Sequence, residues 1–174
     1  MVVCEYIDNP LLFNGFKFDL RIYVAITCIN PLRIYIYEDG LTRFATSKYS
    51  VNINGNKKGQ KFAHLTNFSV NKKNINFISS NSDEDGTGSK WSLVALRNTF
   101  REQGIDDNAI FRKIEDICIK TILAGEPFMF QAMEQYVPFA QNCFELLGFD
   151  ILIDSELDPW LLEVNLSPSL GCDS

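Results

Sequence analysis

Three features of this 174-residue sequence predict an α+β fold: a block of β-rich segments near its start, two helical stretches after it, and a strand–turn–strand unit at its end. The opening residues 2–7 (VVCEYI) read as a short buried strand, ended by the turn signal Asp8-Asn9-Pro10. From Lys17 to Ile29 the run KFDLRIYVAITCI is rich in β-branched and aromatic residues and reads as a long strand. Asn30-Pro31 breaks it, LRIYIYE forms a second strand, Asp39-Gly40 signals a hairpin turn, and LTRFATSK forms a third, giving an antiparallel meander. Residues 50–63 are polar and rich in Asn, Gly and Lys, as a loop is, and HLTNFSV is a short ordered segment. Residues 71–89 carry few apolar side chains and read as a mobile insertion. A helix over 91–103 stops at Gly104, and Asp106 or Asp107 caps the next. Ile110, Ile114, Ile117 and Thr121 recur there at helical spacing; Gly125 and Pro127 kink or restart the helix, which runs to about Val137. The chain closes with FDILID and PWLLEVN, two strands around a polar turn.

Composition narrows the function classes. Hydrophobic residues make up 46% of the chain, enough for a packed core. The net charge of −6 argues against a nucleic-acid partner, because phosphate binding needs a basic field. Five cysteines, at positions 4, 28, 118, 143 and 172, are odd in number and form no C-x-x-C pair, which suits a reducing compartment. No signal-peptide pattern opens the sequence, and no apolar run is long enough to span a bilayer, so no membrane partner is expected.

Three constellations carry potential chemistry. In the closing unit Glu163 and Asn165 lie two apart on one strand face, and a turn centred between Ser155 and Asp158 sets Asp150 across from Glu163. Two opposed carboxylates among Ile151, Leu152, Leu161, Leu162 and Val164 repel each other and are costly to bury without a cation. The oxygen-only set favours Mg²⁺ or Mn²⁺ over zinc; the same pattern also fits two acids facing solvent. Lys17, Asp19 and Arg21 alternate along one strand face, and Arg43 on the third strand can join them. Such a group can hold phosphate oxygens, or it can be a charged surface of internal salt bridges. Finally, His64, the sole histidine, stands with Thr66, Asn67 and Ser69 in a polar segment that suits either a small-substrate site or a turn. No G-x-x-x-x-G-K-[ST] motif is present, which excludes a P-loop.

Taken in order, YIDNPLLFNGFKFDLRIYV, PLRIYIYEDGLTRFATSKYS, HLTNFSVNKKN, KWSL and CFELLGFDILIDSELDPWLLEVNLSPSL resemble the tubulin-tyrosine-ligase-like family, and its polyglutamylase branch in particular, over nearly the whole chain. Phe68 departs from the tyrosine usual there, and Cys4 from the usual Gln or Ser. The resemblance implies an ATP-grasp fold of which residues 1–174 form the C-terminal part, the preceding lobe being absent. It implies an ATP-dependent ligase that adds glutamate to side-chain carboxylates of tubulin through an acyl phosphate. Cys4, Glu5, Tyr6 and Ile7 would contact adenine; Lys17, Asp19, Thr66 and Asn67 would hold ATP; Arg21 and Arg43 would serve catalysis; Arg43, Ser69 and Lys90 would hold glutamate; Asp150, Glu163 and Asn165 would bind Mg²⁺ (or Mn²⁺); and His64 would support the site. The expected partners are tubulin or microtubules and free L-glutamate. The expected state is a monomer in the cytoplasm, on the cytoskeleton, at a cilium or basal body. The alternatives are a catalytically silent module that binds microtubules or nucleotide, and a ligase of the same family that uses glycine.

Overall fold

The structure, a computed structural model, describes residues 3–51, 57–78, 85–139 and 142–170, with the side chains of residues 57–59 outside the description. Its strands are β1 (Leu12–Phe13), β2 (Phe16–Ile29), β3 (Leu32–Phe44), β4 (Lys90–Ser92), β5 (Glu145–Ile153) and β6 (Pro159–Leu166). Its helices are α1 (Lys57–His64), α2 (Phe68–Asn71), α3 (Leu93–Glu102) and α4 (Asp107–Tyr136). The strands make one sheet in the order β4-β3-β2-β5-β6, with β1 paired to β2 and every pairing antiparallel. The predicted α+β class is therefore observed.

The alternation of β2 divides the sheet into two unlike faces. Phe18, Leu20, Ile22, Val24 and Ile26 point to one side and are buried with Phe149 and Ile151 of β5. Helices α3 and α4 cover that side with Leu93, Leu96, Phe100, Ile110, Ile114, Cys118 and Ile122. The buried stripe of α4 is Ile110–Ile114–Cys118–Ile122, one position beyond the expected Ile117 and Thr121, which are only partly buried. The Thr121 hydroxyl donates to the Ile117 carbonyl at 2.7 Å. Asp106 caps α4 by accepting from the Ala109 amide, and the helix continues through Pro127 to Tyr136.

Three expectations about local structure are corrected. Residues 3–7 form no strand, and Val3 is 81% exposed. The chain first meets the sheet at Pro10, bridged to Asp154, and at Leu11, whose amide donates to the Ile153 carbonyl. Residues upstream have no described strand to pair with. Within 50–63, residues 57–64 form α1, whose Phe62 carbonyl accepts from the amides of Thr46 and Ser47 and so anchors the helix to the end of β3. Asp39-Gly40 is not a turn, because β3 runs straight through it.

Glycine is needed at position 40 for a different reason. A Cβ there would collide with the Arg21 carbonyl oxygen and come within 2.9 Å of Leu93 Cδ1. The Asp39 carboxylate accepts from the Leu93 and Val94 amides and caps α3 alongside Ser92. Tight turns lie elsewhere: at Asn30-Pro31 between β2 and β3, as expected, and at Asn14-Gly15 between β1 and β2, where both residues take positive φ (51° and 84°). Of the expected mobile insertion, residues 79–84 lie outside the described residues. The flanks are ordered by short-range bonds such as Ser89 amide to Ile78 carbonyl.

Candidate active site

The second face of the sheet carries the charges. Lys17, Asp19 and Arg21 alternate with the core residues of β2 and therefore share this face. Strand pairing sets Arg43 opposite Asp19, Lys90 opposite Arg43, Asp150 opposite Arg21, and Glu163 opposite Asp150. One band of ionisable groups thus crosses all five strands of the sheet path. Much of it is buried: Lys17, Asp19 and Asp150 are 7%, 3% and 2% exposed.

Ion pairs knit the middle of this band together. Arg21 grips Asp150 with two bonds, Nε to Oδ1 at 2.5 Å and Nη2 to Oδ2 at 3.1 Å. Arg43 grips Asp19 in the same forked way, at 2.8 and 2.5 Å, and its Nη2 also reaches Asp150 Oδ2 at 2.8 Å. Burial opposes ionisation of Asp150, but Arg21 and Arg43 outweigh it and hold the carboxyl below its ordinary range. Burial likewise opposes the charge on Arg43, and its two aspartates more than compensate. The two pairs use only part of the five N–H donors on each guanidinium, leaving capacity toward a further anion.

Gly148, a residue the motif reading did not single out, makes room for this arrangement. A Cβ there would stand 3.1 Å from Arg21 Cδ and 2.9 Å from Pro168 Cβ, so the Arg21 stem lies directly over a bare stretch of β5. A lone glycine inside a strand pattern was the available signal.

Asp150, Glu163 and Asn165, the expected metal donors, come together on this face. Asn165 Nδ2 donates to Glu163 Oε1 at 3.2 Å and to the Gly148 carbonyl at 3.3 Å. The turn after β5 sets this register. Asp154 accepts from the amides of Glu156 and Asp158 and from Trp160 Nε1, folding residues 154–158 back on themselves. Among the described residues no three His, Cys, Asp or Glu side chains converge; this cluster has two carboxylates and one carboxamide. Its all-oxygen donor chemistry fits Mg²⁺, and a divalent ion there would share Asp150 with the two arginines.

At the other end of the band, Lys17 makes no ion pair among the described residues. Burial lowers its pKa, partly offset by Asp19. Its ammonium donates to Tyr6 Oη at 3.2 Å, which brings the expected adenine segment and β2 together. Cys4 and Glu5 are exposed and Ile7 half-buried. Thr66 is buried, while Asn67, at the N-cap position of α2, and Ser69 are exposed. Of the three expected glutamate contacts, Arg43 and Lys90 face each other across β3 and β4, and Ser69 lies on α2. Asn71, 1% exposed, was not anticipated: its side chain accepts from the Thr46 amide and hydroxyl and donates to the Leu65 and Asn67 carbonyls, fixing the His64–Asn67 segment against β3.

An antiparallel sheet with helices on one face and a band of paired charges on the other defines an α+β domain. The sequence profile of the tubulin-tyrosine ligase family matches residues 1–174, and the chain belongs to that family. It is 48% identical over 175 residues to human tubulin polyglutamylase TTLL5, covering 100% of this chain and 14% of that protein. It is also 48% identical to human tubulin monoglutamylase TTLL4, over 100% of this chain and 14% of that protein. Against human probable tubulin polyglutamylase TTLL2 the identity is 47%, over 99% of this chain and 27% of that protein. The chain thus spans about one-seventh of the length of the first two relatives. Among the described residues no helix is long and apolar enough to cross a membrane.

Proposed function

We propose that the protein containing this chain is an ATP-dependent ligase that adds glutamate to side-chain carboxylates of tubulin, and that the charged sheet face is where nucleotide and divalent ion meet. The carrying observation is the buried band itself. Three cations (Lys17, Arg21, Arg43) and two aspartates (Asp19, Asp150) sit on the sheet face opposite the core. Lys17 has no carboxylate partner among the described residues, and Glu163 extends the band in register. Burying so many charges costs several kcal/mol per ion unless a ligand or partner uses them.

In this reading Lys17 meets phosphate oxygens, Asp19 accepts from the ribose, and Thr66 and Asn67 border the nucleotide beside the backbone of Cys4–Ile7. Asp150, Glu163 and Asn165 would hold Mg²⁺, which would supply charge neutralisation for the phosphates. Arg21 and Arg43 present their remaining N–H donors to the transferring phosphoryl group. An acceptor carboxylate oxygen attacks the γ-phosphorus and the bond to ADP breaks. The amine of glutamate, held by Arg43, Lys90 and Ser69, then attacks the acyl carbon and phosphate leaves, closing an isopeptide bond. Acidic tubulin tails need a local basic surface, and the exposed Lys61, Lys72 and Lys73 of the α1–α2 region offer one; Lys57 and Lys58 lie in the same stretch of sequence. The setting is the cytoskeleton, including that of cilia and basal bodies.

The test is incorporation of labelled glutamate into tubulin by the full-length protein with ATP, run beside labelled glycine. Glutamate incorporation is expected. Preference for glycine would move the protein to the glycine-ligase reading. No incorporation of either, with tubulin binding intact, would make it a silent binding module.

A further inference from the structure

We propose that His64 and Tyr6 form a positioning relay that fixes the ammonium of Lys17. The proposal rests on the reading of Lys17 as a nucleotide contact and deepens it. A lysine stem has four rotatable carbons, so a buried ammonium needs something to hold it in one place. Lys17 is held without being neutralised. Its Nζ donates to Tyr6 Oη at 3.2 Å and lies 4.9 Å from the centre of the Tyr6 ring and 6.0 Å from that of Tyr49. One neutral acceptor and two ring faces fix the ammonium without an ion pair, which leaves it open to an anionic ligand. A carboxylate in the same place would have cancelled that charge.

Tyr6 itself lies in a segment without regular structure, so its own position must come from its side chain. Its hydroxyl meets His64 Nδ1 at 2.7 Å. The His64 ring also bonds the Ser50 backbone, so it is held from a second side. The Tyr6 oxygen accepts from Lys17, and the same hydroxyl is tied to His64 Nδ1 and to Tyr49. Burial and the neighbouring ammonium both disfavour a charged imidazole, and burial and Tyr49 keep the Tyr6 proton in place. Tyr49 packs edge-on against His64 at 5.0 Å and donates to the Asp8 carbonyl at 2.9 Å, closing the assembly on both sides. His64 is the last residue of α1, which hangs from Thr46 and Ser47 through Phe62. The relay thus connects a helix anchored beyond β3 to a side chain on β2.

Steady-state kinetics of the full-length ligase, with melting temperatures recorded for every variant, decide the matter. Tyr6→Phe keeps the ring and removes only the oxygen; it is expected to raise the KM for ATP about tenfold with the KM for glutamate and the melting temperature unchanged. His64→Ala should reproduce that shift in ATP KM. Because Tyr6 acts through Lys17, Tyr6→Phe/Lys17→Met should be no worse than Lys17→Met alone. If Lys17→Met raises the ATP KM but Tyr6→Phe leaves it unchanged, or adds to it in the double variant, the relay is wrong and the nucleotide reading of Lys17 survives. If Lys17→Met leaves the ATP KM unchanged, that reading and the relay both fail.

Discussion

Among the described residues two buried aspartates, Asp107 and Asp150, are each held by two arginines, and their surroundings differ. At the junction of α3 and α4, Asp107 accepts from Arg97 Nε at 2.6 Å and from Arg101 Nη2 at 2.8 Å. On the sheet face, Asp150 accepts from Arg21 and Arg43 at 2.5 and 2.8 Å. The first cluster is local and ends at the surface, where the Arg101 side chain is 52% exposed. Asp107 also sits in the first turn of α4, where the helix dipole favours an anion. Helix docking explains that cluster completely. The second crosses three strands, passes on to Asp19 through Arg43, and has Glu163, Lys90 and Lys17 as further members of the same face. Docking an element explains none of this. A paired buried acid is therefore not by itself a site; continuation of the charge onto an open surface, past what pairing requires, marks one.

Substitution should separate the two clusters cleanly. Asp150→Asn keeps shape and removes one charge from the proposed metal set, and the proposed glutamate incorporation by the full-length protein should fall about a thousandfold. Asp107→Asn should leave turnover intact and cost about 2 kcal/mol of stability in denaturant unfolding, the figure being modest because Arg101 is half solvated. The pH dependence follows. Burial works against the Asp107 anion, but Arg101 and Arg97 outweigh it, so its folded-state pKa lies below the unfolded value. Its stabilisation is thus complete above about pH 4 and drains away as pH falls through the depressed value. Asp107→Asn should flatten that part of the acid stability curve.

Gly148→Ala sharpens the comparison from the sheet side. The new methyl pushes on Arg21 and Pro168, and turnover should drop about tenfold while the Asp107 cluster is untouched. The smallest effect lies on the core face. The Thr42 hydroxyl is buried with no hydrogen-bond partner among the described residues, so Thr42→Val should raise stability by about 1 kcal/mol without altering turnover, as thermal unfolding would show.

Alternation made the charged face legible before any coordinates: Lys17, Asp19 and Arg21 had to share a side, and a turn near residues 155–158 had to bring Glu163 to Asp150. Those inferences rest on the period of a strand and on turn chemistry, both local properties of sequence. Failures came where a residue answers to something distant. Asp39-Gly40 carries the composition of a hairpin, but its glycine serves a close approach to Arg21 and Leu93 and its aspartate caps α3. A second hairpin turn, Asn14-Gly15, went unread because only two residues of β1 precede it. Residues 3–7 have strand composition without a described neighbouring strand. The tie between Tyr6 and His64, 58 positions apart, leaves no local pattern at all.

On the proposed reading, the open face holds a divalent ion together with a nucleotide. Titrating ADP calorimetrically into the full-length protein, with Mg²⁺ and then with EDTA, tests it in wild type and in Glu163→Gln. Mg²⁺ should tighten ADP binding to the wild type and lose most of that effect in Glu163→Gln. An equal Mg²⁺ effect in both proteins would contradict the claim.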